Sequence, residues 1–107
     1  MARTFKVEIT ATAEADVADI WDYIAQDSPK AASAFVLRLE DQLEKFEEFP
    51  ERCPRIAEIG QPAALYRHLI IGHYRAIFRI EGDKVIVLRV PHSVRLLDPK
   101  MVERRVE

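Results

Sequence analysis

Apolar and polar residues alternate at the start of the chain, where Phe5, Val7 and Ile9 are separated by Lys6 and Glu8. That period of two is the signature of a strand over Thr4–Ile9 with one buried face. The period then lengthens. Val17, Ile20, Trp21 and Ile24 recur at i, i+3, i+4 and i+7, which predicts an amphipathic helix. Thr12 is the expected N-cap, Glu14 and Asp16 sit in the first turns where the helix dipole favours carboxylates, and the helix should end near Asp27. Ser28-Pro29 is a second start signal, a cap followed by proline at the first helical position. From there Ala32, Phe35, Val36, Leu39, Leu43 and Phe46 keep helical spacing as far as Phe49, and Pro50 closes the segment. The outer face of this helix is acidic. Repulsion between Glu40, Glu44 and Glu48 costs a few tenths of a kcal/mol per pair, whereas burying each large apolar residue of the inner face contributes roughly 1.5–3 kcal/mol.

Residues 50–64 hold three prolines and a glycine and are expected to form a long connection. Beyond it, Leu65–Ile71, Tyr74–Ile80 and Lys84–Val90 are rich in β-branched and aromatic residues, with Gly72-His73 and Gly82-Asp83 as turn signals and Pro91 as the stop. They predict a three-stranded antiparallel meander. In Tyr74–Ile80, parity puts Tyr74, Ala76, Phe78 and Ile80 on one face and Arg75, Ile77 and Arg79 on the other. Three-residue loops keep one face apolar. At Gly82-Asp83-Lys84 such a loop places Arg89 beside Ile77 and Arg79 beside Val87; at Ile71-Gly72-His73 it places Arg67 and Leu69 with Arg75, and His68 with the core. The expectation is therefore a sheet face carrying Arg67, Leu69, Arg75, Ile77, Arg79 and Arg89, with Arg95 just past its edge. The order β-α-α-β-β-β describes an α+β fold, a helical hairpin packed on one face of a largely antiparallel sheet.

Composition sharpens this picture in two places. Residues 1–50 hold five Lys/Arg against eleven Asp/Glu, and residues 51–107 hold eleven against seven, so a polar target would meet the second half. The single cysteine, Cys53, excludes an internal disulfide, suits a reducing cytoplasm and has no His or Cys partner at metal spacing. It is expected to be a small buried hydrophobe. No metal, cofactor or membrane partner is expected, and no apolar run approaches the roughly 20 residues needed to span a bilayer. The 107 residues are expected to form one domain, with a core over 4–98 and a short charged tail over 99–107. Arginines on a sheet face often serve only to keep it soluble. Set among Leu69, Ile77 and Val87, these also make the arginine-over-apolar surface typical of a protein interface.

The segments IWDYIAQDSPKAASAF, FPERCPRI, LYRHLIIGHYRAIFRI and VIVLRVPHSVR, taken in this order, resemble the RelE/ParE superfamily of toxins from bacterial type II toxin–antitoxin systems. The resemblance implies a small cytoplasmic toxin held inactive by a cognate antitoxin, with the antitoxin groove between the hairpin and the first strand. It implies one of two activities. ParE-like members inhibit DNA gyrase by protein–protein contact, while RelE-like members cut mRNA on the ribosome without a metal. RNA cleavage needs a base, cations for the phosphorane charge and an acid. By resemblance to the nuclease branch these would be Arg67, Arg75, His92 and Arg95. Two departures count against that branch. Leu69 stands where a second basic residue is expected, and no tyrosine follows Tyr74. The long second helix and the segment Trp21 to Ala25 look like ParE. Gyrase inhibition is therefore the favoured expectation, the ribosome-dependent endonuclease the alternative, and an inactive binding module of the same fold the third.

Overall fold

The computed structural model describes residues 4–48, 50–56 and 66–93. β1 (Lys6–Ile9) passes straight into α1 (Ala11–Ala25) through Thr10. Thr10 serves two structures at once. Its N–H donates to the Val87 carbonyl (3.1 Å), and its hydroxyl accepts from the Ala13 N–H (3.1 Å) as the N-cap while donating to the Leu88 carbonyl (3.1 Å). The cap is thus Thr10 and not Thr12, because the residue that leaves the strand is the one whose extended backbone can begin the helix.

α2 (Pro29–Lys45) starts as expected, with the Ser28 hydroxyl accepting from the Ala31 N–H (3.1 Å). It ends earlier than its apolar spacing suggests. Phe46 is the C-cap, and the Glu47 and Glu48 N–H groups reach back only three residues, to Glu44 and Lys45. Phe46 nevertheless stays buried against Phe78, with ring centroids 4.4 Å apart. Spacing continued past the helix because the tightened turn still aims this ring at the core. In α1, Ile20 is buried but Trp21 is 37% exposed, so its place on the expected apolar stripe is only partial.

β2 (Tyr66–Ile71), β3 (Tyr74–Glu81) and β4 (Lys84–Arg89) form the meander, and β1 joins it alongside β4, giving the order β1-β4-β3-β2. The β1–β4 pair is parallel and the other two are antiparallel. Both hairpin loops have two residues, not three: Ile71 pairs with Tyr74 and Glu81 with Lys84. Gly72 and Gly82 hold φ of 59° and 61°, while no other described residue has positive φ. Glycine at the first turn position with only that φ positive is the pattern of a type II′ turn, which matches strand twist and closes with two residues.

The shorter loops change which residues share a face. A slip of one residue turns every side chain of β2 over. Arg67 and Leu69 pair with Phe78 and Ala76 on the helix side, while His68 and Ile70 pair with Ile77 and Arg75 on the far side. In the second hairpin, Arg79 pairs with Ile86 and not with Val87. The ladder then shifts between Ile77 and Phe78, so that Leu88 is passed over and Arg89 meets Ile77 as expected. One bulge thereby reconciles a two-residue turn with an apolar face on each side of β4.

Apolar residues fill both sides of the sheet. The helix side holds the main core, in which Leu39, Phe46, Ala76, Phe78, Val85 and Val87 are all buried. The far side holds a second cluster of Ile56, Tyr66, Ile77, Ile86 and Leu88.

Candidate functional site

The expected site residues lie in four places and not on one bare surface. Arg75 and Ile77 do occupy the far face, but both are buried, at 3% and 0% exposure. The Arg75 guanidinium lies 3.1 Å from His68 Nδ1, which pins that ring nitrogen as the acceptor, since arginine can only donate. The backbone of Arg75 is held too, its N–H donating to the Pro91 carbonyl (3.0 Å). Arg79, on the same face, is partly exposed, and its Nη2 meets Glu81 at 2.6 Å.

Arg67 and Leu69 belong to the helix side, which corrects their expected placement. The Arg67 guanidinium hooks the turn that follows α2, donating to the carbonyls of Glu51 (3.1 Å) and Cys53 (2.7 Å). There a 3₁₀ turn, Pro50–Arg52, leads into a bridge between Arg55 and Arg67. Cys53 is buried beneath this hook, and burial raises its thiol pKa above the ordinary value, an effect reduced but not cancelled by the positive charges of Arg67 and Arg52. The thiol is therefore neutral near pH 7, as a small buried hydrophobe should be.

Arg89 also departs from the expected surface. Its Nε and Nη2 reach Asp16 of α1 at 2.8 and 3.1 Å, a two-pronged pair in which Asp16 also accepts from the Val90 N–H (2.9 Å). The hydrogen bonds to Asp16 push the Arg89 pKa further above its ordinary value, outweighing the opposing effect of burial. Asp16 thus closes the end of β4 and ties it to the hairpin. Sequence reading took this carboxylate for a helix-dipole residue and missed its partner, 73 residues away.

His92 lies at the opposite end of β3, in a bridge with Tyr74. Its ring packs edge-on to Tyr74 (5.4 Å) and nearly parallel to His73 (6.2 Å), and Tyr74 in turn meets Phe35 at 5.3 Å. Both histidines are exposed. Arg95 falls outside the described residues. The arrangement therefore offers separate anchoring points for guanidinium groups and a small aromatic platform at the β2–β3 turn. Among the described residues, the histidine and guanidinium that it brings together are His68 and Arg75, and that guanidinium belongs to a buried residue. Among the described residues, no group of three or more His, Cys, Asp or Glu could hold a metal ion. No helix among them is long and apolar enough to cross a membrane.

This order of elements and this sheet have known counterparts. The family described as the ParE toxin of the type II toxin–antitoxin system parDE matches residues 7–97. The chain belongs to the ParE toxin family. A curated relative, Toxin RelE2 of Caulobacter vibrioides, is 34% identical over 87 residues, which cover 81% of this chain and 93% of that protein. Among solved structures, the chromosomal ParDE toxin–antitoxin system of P. aeruginosa superimposes with a TM-score of 0.70 at 24% identity, over 83% of this chain and 96% of the other. The RelBE2 toxin–antitoxin complex of Mycobacterium tuberculosis gives 0.59 at 23% identity, over 87% and 95%. This ParE-family chain is accordingly a type II toxin, and the α+β architecture expected from its sequence is the architecture of its structural neighbours.

Proposed function

We propose that this toxin acts on DNA gyrase by protein–protein contact, in the cytoplasm, and is neutralised by a cognate antitoxin. The observation that carries this reading is how Arg67, Arg75 and His92, the described members of the expected nuclease set, are held. Arg67 is spent on backbone carbonyls on the helix side, Arg75 is buried on the far side against His68, and His92 stands exposed by the β2–β3 turn. Cleavage of a phosphodiester requires acid, base and cation around one phosphorus. A contact surface has no such requirement and can be assembled from scattered anchors. Of the residues expected to meet the target, Arg67, Leu69, Arg79 and Arg89 have the partial exposure that such contact needs. Both structural neighbours come from toxin–antitoxin systems, and RelBE2 is a toxin–antitoxin complex, which supports the antitoxin as partner.

A second reading, a ribosome-dependent mRNA endonuclease, draws support from the relative named Toxin RelE2. Controlled expression without and with the antitoxin separates both readings from an inactive binding module. Growth arrest relieved by the antitoxin is expected, and normal growth on expression of the toxin alone would leave only the inactive module. Plasmid supercoiling by purified gyrase should then slow on addition of the chain, and unaltered supercoiling would remove the gyrase reading.

A further inference from the structure

β2 is the outermost strand of the sheet, and the described residues occupy only part of its free edge. Ile56 N–H donates to the Tyr66 carbonyl (3.1 Å) and His68 N–H to the Pro54 carbonyl (3.2 Å), so residues 54–56 form an antiparallel bridge against the first half of β2. Outward-facing backbone groups recur at every second residue of a strand. After Tyr66 and His68, the next belong to Ile70. Among the described residues Ile70 has no hydrogen-bond partner on that edge, and it is 61% exposed. An edge that must remain single usually carries lysine, proline or a bulge. This one ends in an exposed isoleucine.

The open edge gives onto a groove of about 970 Å³ between β2 and the last turns of α2. Asp41, Glu44, Glu47 and Glu48 line it, against Lys45 and Arg52. Lys45 is held by Asp41 at 3.7 Å, while the carboxylates of Glu44, Glu47 and Glu48 form no ion pair among the described residues. The groove is therefore acidic on the helix side, apolar at Ile70, and bordered by unpaired backbone groups. Nucleic acid is disfavoured by that charge, and a basic extended chain is favoured.

We propose that this groove receives an extended segment of a protein partner with lysine or arginine at alternate positions. The segment lies along the β2 edge past the Arg55–Arg67 bridge and pairs with the Ile70 backbone. Its basic side chains meet Glu44, Glu47 and Glu48, and its intervening side chains lie on Ile70, as the alternation of a strand requires. This surface is independent of the gyrase reading, since it lies on the acidic side of the molecule and uses none of the arginines assigned there.

The test uses the purified full chain and a fluorescein-labelled decapeptide of alternating lysine and valine, followed by fluorescence anisotropy. Saturable binding is expected, with affinity at least about tenfold weaker, or about 1.4 kcal/mol, for the glutamate–valine counterpart. N-methylation of alternate peptide amides removes the strand donors but keeps the charge, and should weaken binding by a similar factor. The double substitution Glu44→Lys and Glu48→Lys should do the same with circular dichroism unchanged, because both side chains are exposed. Exchange of the Ile70 amide should slow at least about tenfold in the presence of the parent peptide. Absence of binding, equal binding of the N-methylated or acidic peptide, or an unaltered Ile70 exchange rate under saturation would each overturn the proposal.

Discussion

The two faces of the sheet bury their side chains by different means. Beneath the hairpin the contact is apolar throughout, with Phe46 on Phe78, Leu39 and Leu43 between the helices and the strands, and Val85 and Val87 below. Across the sheet the cluster is smaller, and Arg75 is buried within the same face, its guanidinium against His68. The first face sets stability. The second face holds charge in a fixed place, so Arg75 is an anchored part of the structure and not part of a free basic carpet. The lesson is that guanidinium groups expected on one strand face need share neither face nor role: Arg67, on the helix side, holds a turn, Arg75 a ring and Arg89 a strand end, while Arg79 pairs with Glu81.

The largest expected effect comes from the helix side. Phe78→Ala should cost about 3–5 kcal/mol in urea denaturation, since a fully buried ring is replaced by a cavity. Ile77→Val, on the other face at the same strand, should cost about 0.5–1.5 kcal/mol. Equal losses would erase the distinction between the faces. Next come the arginines themselves. Arg75→Ala should destabilise by about 1–3 kcal/mol, because it removes a buried group and leaves His68 Nδ1 without that partner. Arg79→Ala should stay within about 0.5 kcal/mol yet reduce toxicity. A stable Arg75→Ala protein would mean that the guanidinium is not structural.

Ion pairs sharpen the comparison further. Asp16→Ala should cost about 1–3 kcal/mol, since it strips partners from both the Arg89 side chain and the Val90 N–H. Glu8→Ala, which breaks the more exposed Lys84 pair at 3.3 Å, should cost no more than about 1 kcal/mol. The smallest effect concerns Cys53. Its raised pKa means that the folded state holds the thiol proton more tightly than the unfolded chain. The associated stability is intact below the ordinary thiol pKa and is lost as pH rises through the raised folded value. Alkylation by iodoacetamide at pH 8 should accordingly be slow in native protein and fast in denaturant. Fast alkylation of the native state would show the thiol to be open.

Much of this architecture was legible in the sequence, and the failures have identifiable causes. The β3 alternation, the Ser28-Pro29 helix start and the element order follow from local spacing, which the structure keeps. The placement of Arg67 and Leu69 depended on loop length, where a single residue reverses a strand. The relevant signal was present: Gly72-His73 and Gly82-Asp83 each put glycine at the first position of a two-residue turn. The bulge at Leu88 left no comparable mark. The Asp16–Arg89 pair and the burial of Arg75 arise from contacts between distant segments, which no local pattern encodes. Thr10 was passed over as a cap because Thr12 shares its chemistry, and only the strand ending at Ile9 decides between them.

The central claim, that this toxin stops gyrase by contact and does not cut RNA, is tested most directly by assaying one preparation for both activities. Purified chain is titrated into a gyrase supercoiling reaction, and mRNA from expressing cells is mapped by primer extension. The account predicts slowed supercoiling or accumulation of cleaved plasmid, reversed by the antitoxin, with an unchanged mRNA pattern. Normal supercoiling together with codon-phased cuts in mRNA would contradict it.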